Sequence, residues 1–392
     1  MKVLLLAPQP FYTERGTPIA IRLLVRSLCR DGHEVDVLTY HEGEDIQIPG
    51  MHLFRIKSPL GIKNVPIGFS IKKLMCDLWL IFATFKCMRN RKYEVVHAIE
   101  ESVFIALLAR LVWRFKLVYD MDSLMADQIV EKWPRLKPML PFMQWFEKFA
   151  VKRADLVLAV CPAIAERAGI SSNPEKVHLT PDVAMSPAGQ LIEVEDVRSM
   201  CIASAPVAMY VGNLETYQGV DLLLESLALM QTSQRCSLVI IGGNPAHIER
   251  YRQKIEIAGL TQHIHLLGQR PLDCLAGYLS QADIVCSPRL KGVNTPMKIY
   301  AYMLSGKALL ATDILSHSQV LDSECALLVS PDPSAMAEGL LKLCVSPALR
   351  QQLGIAAAQR AGSQYSEKAF ETRLRNAYAH LGNAGHIAEV VA

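Results

Sequence analysis

Three stretches in the second half of the chain end an apolar run with glycine, proline and cations. "YVGNLETYQGVD" brackets Asn213 and Gln218 between Gly212 and Gly219. "IIGGNP" sets Gly242 and Gly243 at the end of another run. "SPRLKGVNTPMKIY" supplies Arg289, Lys291, Thr295, Pro296, Lys298 and Tyr300 around a helix start, and Arg270 follows the run "IHLLG". Backbone N–H groups at a helix start favour an anion, and glycine lets a ligand come close to the main chain. Lys298 offers a point charge; Asn213 and Gln218 offer hydrogen bonds to oxygens. Together these residues suit a diphosphate. Any one of them alone reads as an ordinary turn, with Lys298 a solvated lysine and Tyr300 a core aromatic.

The first half offers acids. Glu100 and Glu101 follow the strand-like "EVVHA", and Asp120 and Asp122 close "KLVYDMD". A carboxylate there can accept a hydroxyl proton or orient the hydroxyl, and can stabilise a developing positive charge. Asp122 also reads as a helix N-cap ahead of "LMADQIVEKW". Asp120 and Asp122 form D-x-D, a metal-binding pattern in other contexts, but a bare pair in this half does not call for a metal. Arg15, Gly16 and Thr17 in "RGTP" offer a cation for a leaving diphosphate, a close approach, and a hydroxyl that also reads as an N-cap. His263 and His265 alternate with apolar residues on a strand and read as packing.

These residues need a frame that brings strand ends together. Apolar runs of strand length (Val3–Ala7, His33–Tyr40, Glu94–Ala98, Lys116–Asp122, Asp155–Val160) alternate with helical spacing, as in Ile19–Gly32. The rhythm restarts at Val207–Asn213 and continues through Ser237–Gly243, Ile264–Gly268, Ala282–Pro288 and Ala308–Asp313. The fold class read from this is α/β, with two Rossmann-like doubly wound domains facing across a cleft. The expected domains are residues 1–183 and 184–366, with 367–392 a terminal helix and tail crossing back to the first domain. At 392 residues, two cores are the natural expectation. Net charge is only +3, which argues against a nucleic-acid partner. The 10 cysteines form no C-x-x-C pair, which suggests reduced thiols and a cytoplasmic setting.

In order, "YVGNLETYQGVDLLLESL", "IIGGNP", "LLGQRPLDCLAGYLSQADIVCSP" and "TPMKIYAYMLSGKALLATD" resemble the donor half of family 4 retaining glycosyltransferases, which have the GT-B fold. "RGTPIAIRLLVRSLCRDGHEVDVLT" is similar to that family's first glycine loop, helix and second strand. The resemblance implies a retaining transferase with a nucleotide-diphosphate-sugar donor and no required cofactor or metal. The donor would be held mostly by the second domain and the acceptor mostly by the first. Tyr300 would pack on base or ribose. The sequence also departs from the family pattern. Asn213 and Gln218 stand where an Arg and a Lys are common, Val293 and Ala301 where two glutamates are common, and Asp122 where a His is common. Lys298 is read as compensating for Gln218.

Residues 55–92 carry many lysines and arginines against one acid, Asp77, interleaved with Phe69, Leu74, Leu78, Trp79 and Phe82. Such a segment can lie on an anionic membrane or pack into a core with a basic outer face. The membrane reading puts the protein at the inner face of the cell membrane, with a glycan or lipid-linked acceptor. A non-catalytic nucleotide-sugar-binding scaffold and a nucleotide-sugar epimerase of the same fold are the alternatives.

Overall fold

Strands form where leucine- and β-branched-rich runs are covered on both faces, and every interior strand of this protein is such a run. The computed structural model describes residues 1–13, 16–66, 70–183 and 192–389, with side chains through 381. It contains two compact units, Met1–Asp182 with Lys368–Ala392, and Val183–Glu367.

The first unit runs β1 (Lys2–Ala7), α1 (Gly16–Arg30), β2 (Glu34–Thr39), β3 (Met51–Arg55), α2 (Ile71–Asn90), β4 (Val95–Ile99), α3 (Ser102–Ala109), β5 (Lys116–Met121), α4 (Met125–Lys132), α5 (Leu140–Arg153), β6 (Leu156–Ala159), α6 (Pro162–Ser171) and β7 (Val177–Leu179). Its sheet is parallel throughout, in the order β3-β2-β1-β4-β5-β6-β7. Strand order reverses between β1 and β4, so the loops after β1 and β4 open at a switch point, where such sheets bind ligands, and the loop after β5 is the next along.

The second unit runs β8 (Val207–Val211), α7 (Val220–Leu229), β9 (Ser237–Ile241), α8 (Pro245–Ile257), β10 (Ile264–Gly268), α9 (Leu275–Ser280), β11 (Ile284–Ser287), α10 (Met297–Leu304), β12 (Ala308–Thr312), α11 (Leu315–Ser318), β13 (Leu327–Val329), α12 (Pro333–Val345) and α13 (Pro347–Gln364). Its parallel sheet is ordered β10-β9-β8-β11-β12-β13, with the reversal between β8 and β11. The final helix, α14 (Glu367–Glu389), packs on the first unit. The Tyr378 hydroxyl lies 2.7 Å from His97 Nδ1, and Arg375 pairs with Asp31.

Two N-cap readings are corrected. α4 starts at Met125 behind Leu124, without a side-chain cap, so Asp122 does not cap it. α1 starts at Gly16, which places Thr17 inside the first turn.

Candidate active site

The ends of β8, β9 and β11 converge through contacts that only glycine permits. A Cβ on Gly219, whose φ is +73°, would lie 1.9 Å from the Pro288 carbonyl oxygen; one on Gly242 would lie 2.0 Å from that of Gly212. Gly242 and Gly243 admit the Gly212 backbone and the Leu214 side chain respectively, so the protein's own loops use their freedom.

Lys298, in the first turn of α10, points into this convergence. Its Nζ donates to Gln218 Oε1 at 2.8 Å and sits 4.1 Å from the centroid of the Tyr210 ring. Gln218 is buried, and the Tyr210 hydroxyl donates to the Asn213 carbonyl at 2.6 Å. Burial, with the nearby charge of Arg289, lowers the Lys298 pKa to about 7. No carboxylate pairs with Lys298 among the described residues. Arg289 is 8 % exposed; its guanidinium is fixed by the carbonyls of Lys291 and Asn294 and lies over Tyr217.

Two helix starts beside these cations lack side-chain caps, because Gly219 precedes α7 and Pro296 precedes α10. Elsewhere in the unit, Asn244, Asp332 and Ser346 cap α8, α12 and α13 with their side chains. Uncapped N–H groups and two cations form a positive, donor-rich surface that suits phosphate oxygens. Behind it, buried His317 bonds Ser287 and the Thr312 carbonyl, and Thr312 in turn donates to the Arg289 carbonyl. Burial lowers the His317 pKa to about 4, so it adds no charge.

The remaining expected residues divide. Asn213 is exposed, and its Oδ1 accepts from Glu215 N, leaving it at the rim. Thr295 is buried and accepts from Gln319. Arg270 is bound by Glu195 at 2.7 Å and by the Tyr278 hydroxyl, so its charge is already neutralised and it does not join the group. Tyr300 is a correction. It is fully buried, with its ring 4.9 Å from that of Tyr365, and cannot face a base or ribose. Two residues along a helix is about 200° around it, so Tyr300 faces the core while Lys298 faces the loops. Arg15 lies outside the described residues, and Gly16 is exposed at the start of α1.

In the first unit, the ends of β4 and β5 gather acids. Glu100, held at φ +51°, accepts from Ser123 at 2.9 Å. Burial, then the charge of Glu101, raises its pKa to about 8. Asp122 is pushed well above the carboxylate range by burial and by Asp120, Glu100 and Asp182. Burial, then Asp120, raises the pKa of Asp182 to about 7. Glu101 pairs with Lys73 at 2.5 Å, and Asp77 accepts from the Tyr40 hydroxyl at 2.5 Å. The sequence reading missed Lys73, Asp77 and Tyr40 here, and Tyr210 in the other unit. This group can donate hydrogen bonds to a polyhydroxyl ligand where its acids are neutral and accept them where they are ionised. Among the described residues, the group with spacing for a metal is Glu34, Asp36 and His52. It lies on other strands, and Arg91 already pairs with Asp36.

Comparison with known proteins extends this picture. Residues 205–346 match the family model described as glycosyl transferases group 1, and residues 15–182 match the glycosyl transferase 4-like domain. The chain is 24 % identical over 390 residues to a D-inositol 3-phosphate glycosyltransferase of Corynebacterium diphtheriae, covering 93 % of this chain and 89 % of that one. It is 26 % identical over 179 residues to a phosphatidyl-myo-inositol mannosyltransferase of Mycobacterium leprae, 45 % of this chain and 46 % of that one. Among solved structures, sucrose-phosphate synthase of Thermosynechococcus elongatus superposes with a TM-score of 0.80 at 20 % identity, covering 98 % and 99 % of the two chains. Anabaena HepE, solved with UDP-glucose, gives 0.72 at 16 % identity over 97 % and 99 %.

Proposed function

This chain belongs to the family-4-like glycosyltransferases of GT-B fold, which move a sugar from a nucleoside-diphosphate donor to an acceptor, and on that premise we propose that its donor diphosphate is gripped by Lys298, Arg289 and the open starts of α7 and α10. The observation that carries this reading is Lys298 Nζ, buried against Gln218 and the Tyr210 ring with no carboxylate partner among the described residues. Where the family pattern has a cation in the loop at Gln218, the cation here enters from α10. Val293 and Ala301 stand where the family pattern has its two glutamates.

Transfer proceeds with retention by a front-face displacement. The bond from the anomeric carbon to the phosphate oxygen breaks, and its electron pair passes to the diphosphate. The acceptor oxygen forms the new bond on the same face, and its proton goes to the leaving phosphate oxygen. Lys298, Arg289 and the helix N–H groups stabilise the charge that grows there. Glu100, Glu101 and Asp122 orient acceptor hydroxyls.

The acceptor is lipid-linked and is met at the inner face of the cell membrane, with contact through residues 55–92. In support, one relative is named for phosphatidyl-myo-inositol, a lipid. No helix among the described residues is long and apolar enough to cross a membrane. Part of the segment's charge is committed internally, Arg55 to Asp45 and Lys73 to Glu101, and Phe69 lies outside the described residues.

A thermal-shift screen with UDP, GDP, ADP and their sugars tests the donor reading. One diphosphate series should raise Tm in the wild type, and much less in Lys298→Met. An equal shift in both proteins, or none with any nucleotide, would overturn it.

A further inference from the structure

We infer that the outer face of α2, the turn after α3 and α5 together form a docking surface for an anionic phospholipid bilayer. The inference rests on the lipid-linked acceptor reading above and extends it well beyond residues 55–92. On α2, Ile71, Leu74, Leu78 and Phe82 are exposed along one side, while Cys76, Leu80, Thr84 and Met88 are buried on the other. Past α3, Leu111 is 83 % exposed and Val112 64 %. On α5, Phe142, Trp145, Phe146 and Phe149 recur at helical spacing with Trp145 57 % exposed, and Glu147, Ala150 and Val151 face inward.

The three pieces are continuous. The Phe85 ring on α2 meets Trp113 at 5.2 Å, and Phe104 on α3 meets Phe146 on α5 at 6.5 Å. Right-handed crossovers in this strand order place α2, α3 and α5 on one face of the sheet. An exposed apolar face of this extent calls for a partner.

Charge identifies that partner. The acids of the three helices are Asp77 and Glu147, both drawn inward to Tyr40 and to Met125 N. Every exposed charge on them is basic, namely Lys72, Lys86, Arg89, Lys148, Lys152 and Arg153. A second copy docking by a two-fold axis would set these cations against themselves. An anionic lipid surface complements them while aromatic side chains enter the interface. α2 also ties this face to the acid group, because Lys73 and Asp77 on its inner side reach Glu101 and Tyr40.

The test is co-sedimentation of the full chain with phosphatidylcholine vesicles, with and without phosphatidylglycerol. The wild type should pellet with the anionic vesicles, not with phosphatidylcholine alone, and should be released by salt. Trp145→Ser with Phe149→Ser should lower the partition about 10-fold or more. Lys148→Glu with Lys152→Glu, at exposed sites that cannot disturb the core, should do likewise. Both variants should keep the nucleotide-induced rise in Tm. The inference is overturned by failure to bind anionic vesicles, by equal binding to neutral ones, by wild-type binding in both variants, or by a dimer that the aromatic variant dissolves. Vesicle binding without any nucleotide effect on Tm would leave this surface standing and remove the donor reading instead.

Discussion

The two units desolvate charge in opposite senses. In the second unit burial works against cations, and the Lys298 pKa falls to about 7; in the first it works against carboxylates, and Glu100 rises to about 8 with Asp77 and Asp182 at about 7. A buried cation without a carboxylate is unfavourable until an anion arrives, which suits a diphosphate. A group of half-neutral acids is satisfied by hydroxyls, which suits an acceptor. On the proposed assignment, this contrast is where each unit gives up stability for binding.

The largest break in this comparison is Lys298→Met. It should lower kcat/KM for transfer by about 10²–10³-fold, as loss of one charge-stabilising donor does. It should also raise Tm below pH 7, because a buried unpaired charge is removed. Steady-state kinetics and calorimetry together check this, and loss of both activity and stability would indicate a structural lysine. Next, Glu100→Gln should lower kcat by about 10²-fold while leaving nucleotide binding intact. Gln218→Ala should weaken diphosphate binding by only about 10-fold, since it removes one hydrogen bond to the cation.

The smallest effect sharpens the contrast through pH. Glu100 has a raised pKa in the folded state, so its contribution to stability is full below about 4.5 and is lost as pH rises towards 8. Lys298 has a lowered pKa, so the unfolded chain binds more protons between pH 7 and 10.5, and stability rises with pH there. Tm measured against pH should lose the first slope in Glu100→Gln and the second in Lys298→Met.

The sequence exposes interior strands and hides edges. β1, β4, β8 and β9 are nearly continuous apolar runs because both of their faces are covered. β3, β7 and β13 are short edge strands with half-buried residues, so no such run marks them. The place of Lys298 in the first turn of α10 was legible because a cation at a helix start is a local signal. Tyr210 was not, because a tyrosine inside an apolar strand looks like packing until the residue above its ring is known. Lys73 and Asp77 were masked by the outer face of their own helix. Tyr300 failed on helix phase, and the N-cap reading of Asp122 failed on the start of α4. Arg270 failed because its partner, Glu195, lies 75 residues away in sequence.

The most direct measurement is calorimetric titration of UDP and GDP at pH 8 in two buffers of different ionisation enthalpy. The wild type should take up about one proton per diphosphate bound, as Lys298 recharges against the anion, and Lys298→Met should take up none. Diphosphate binding by the wild type without proton uptake, or equal affinity in the two proteins, would contradict the assignment of Lys298 as the phosphate ligand.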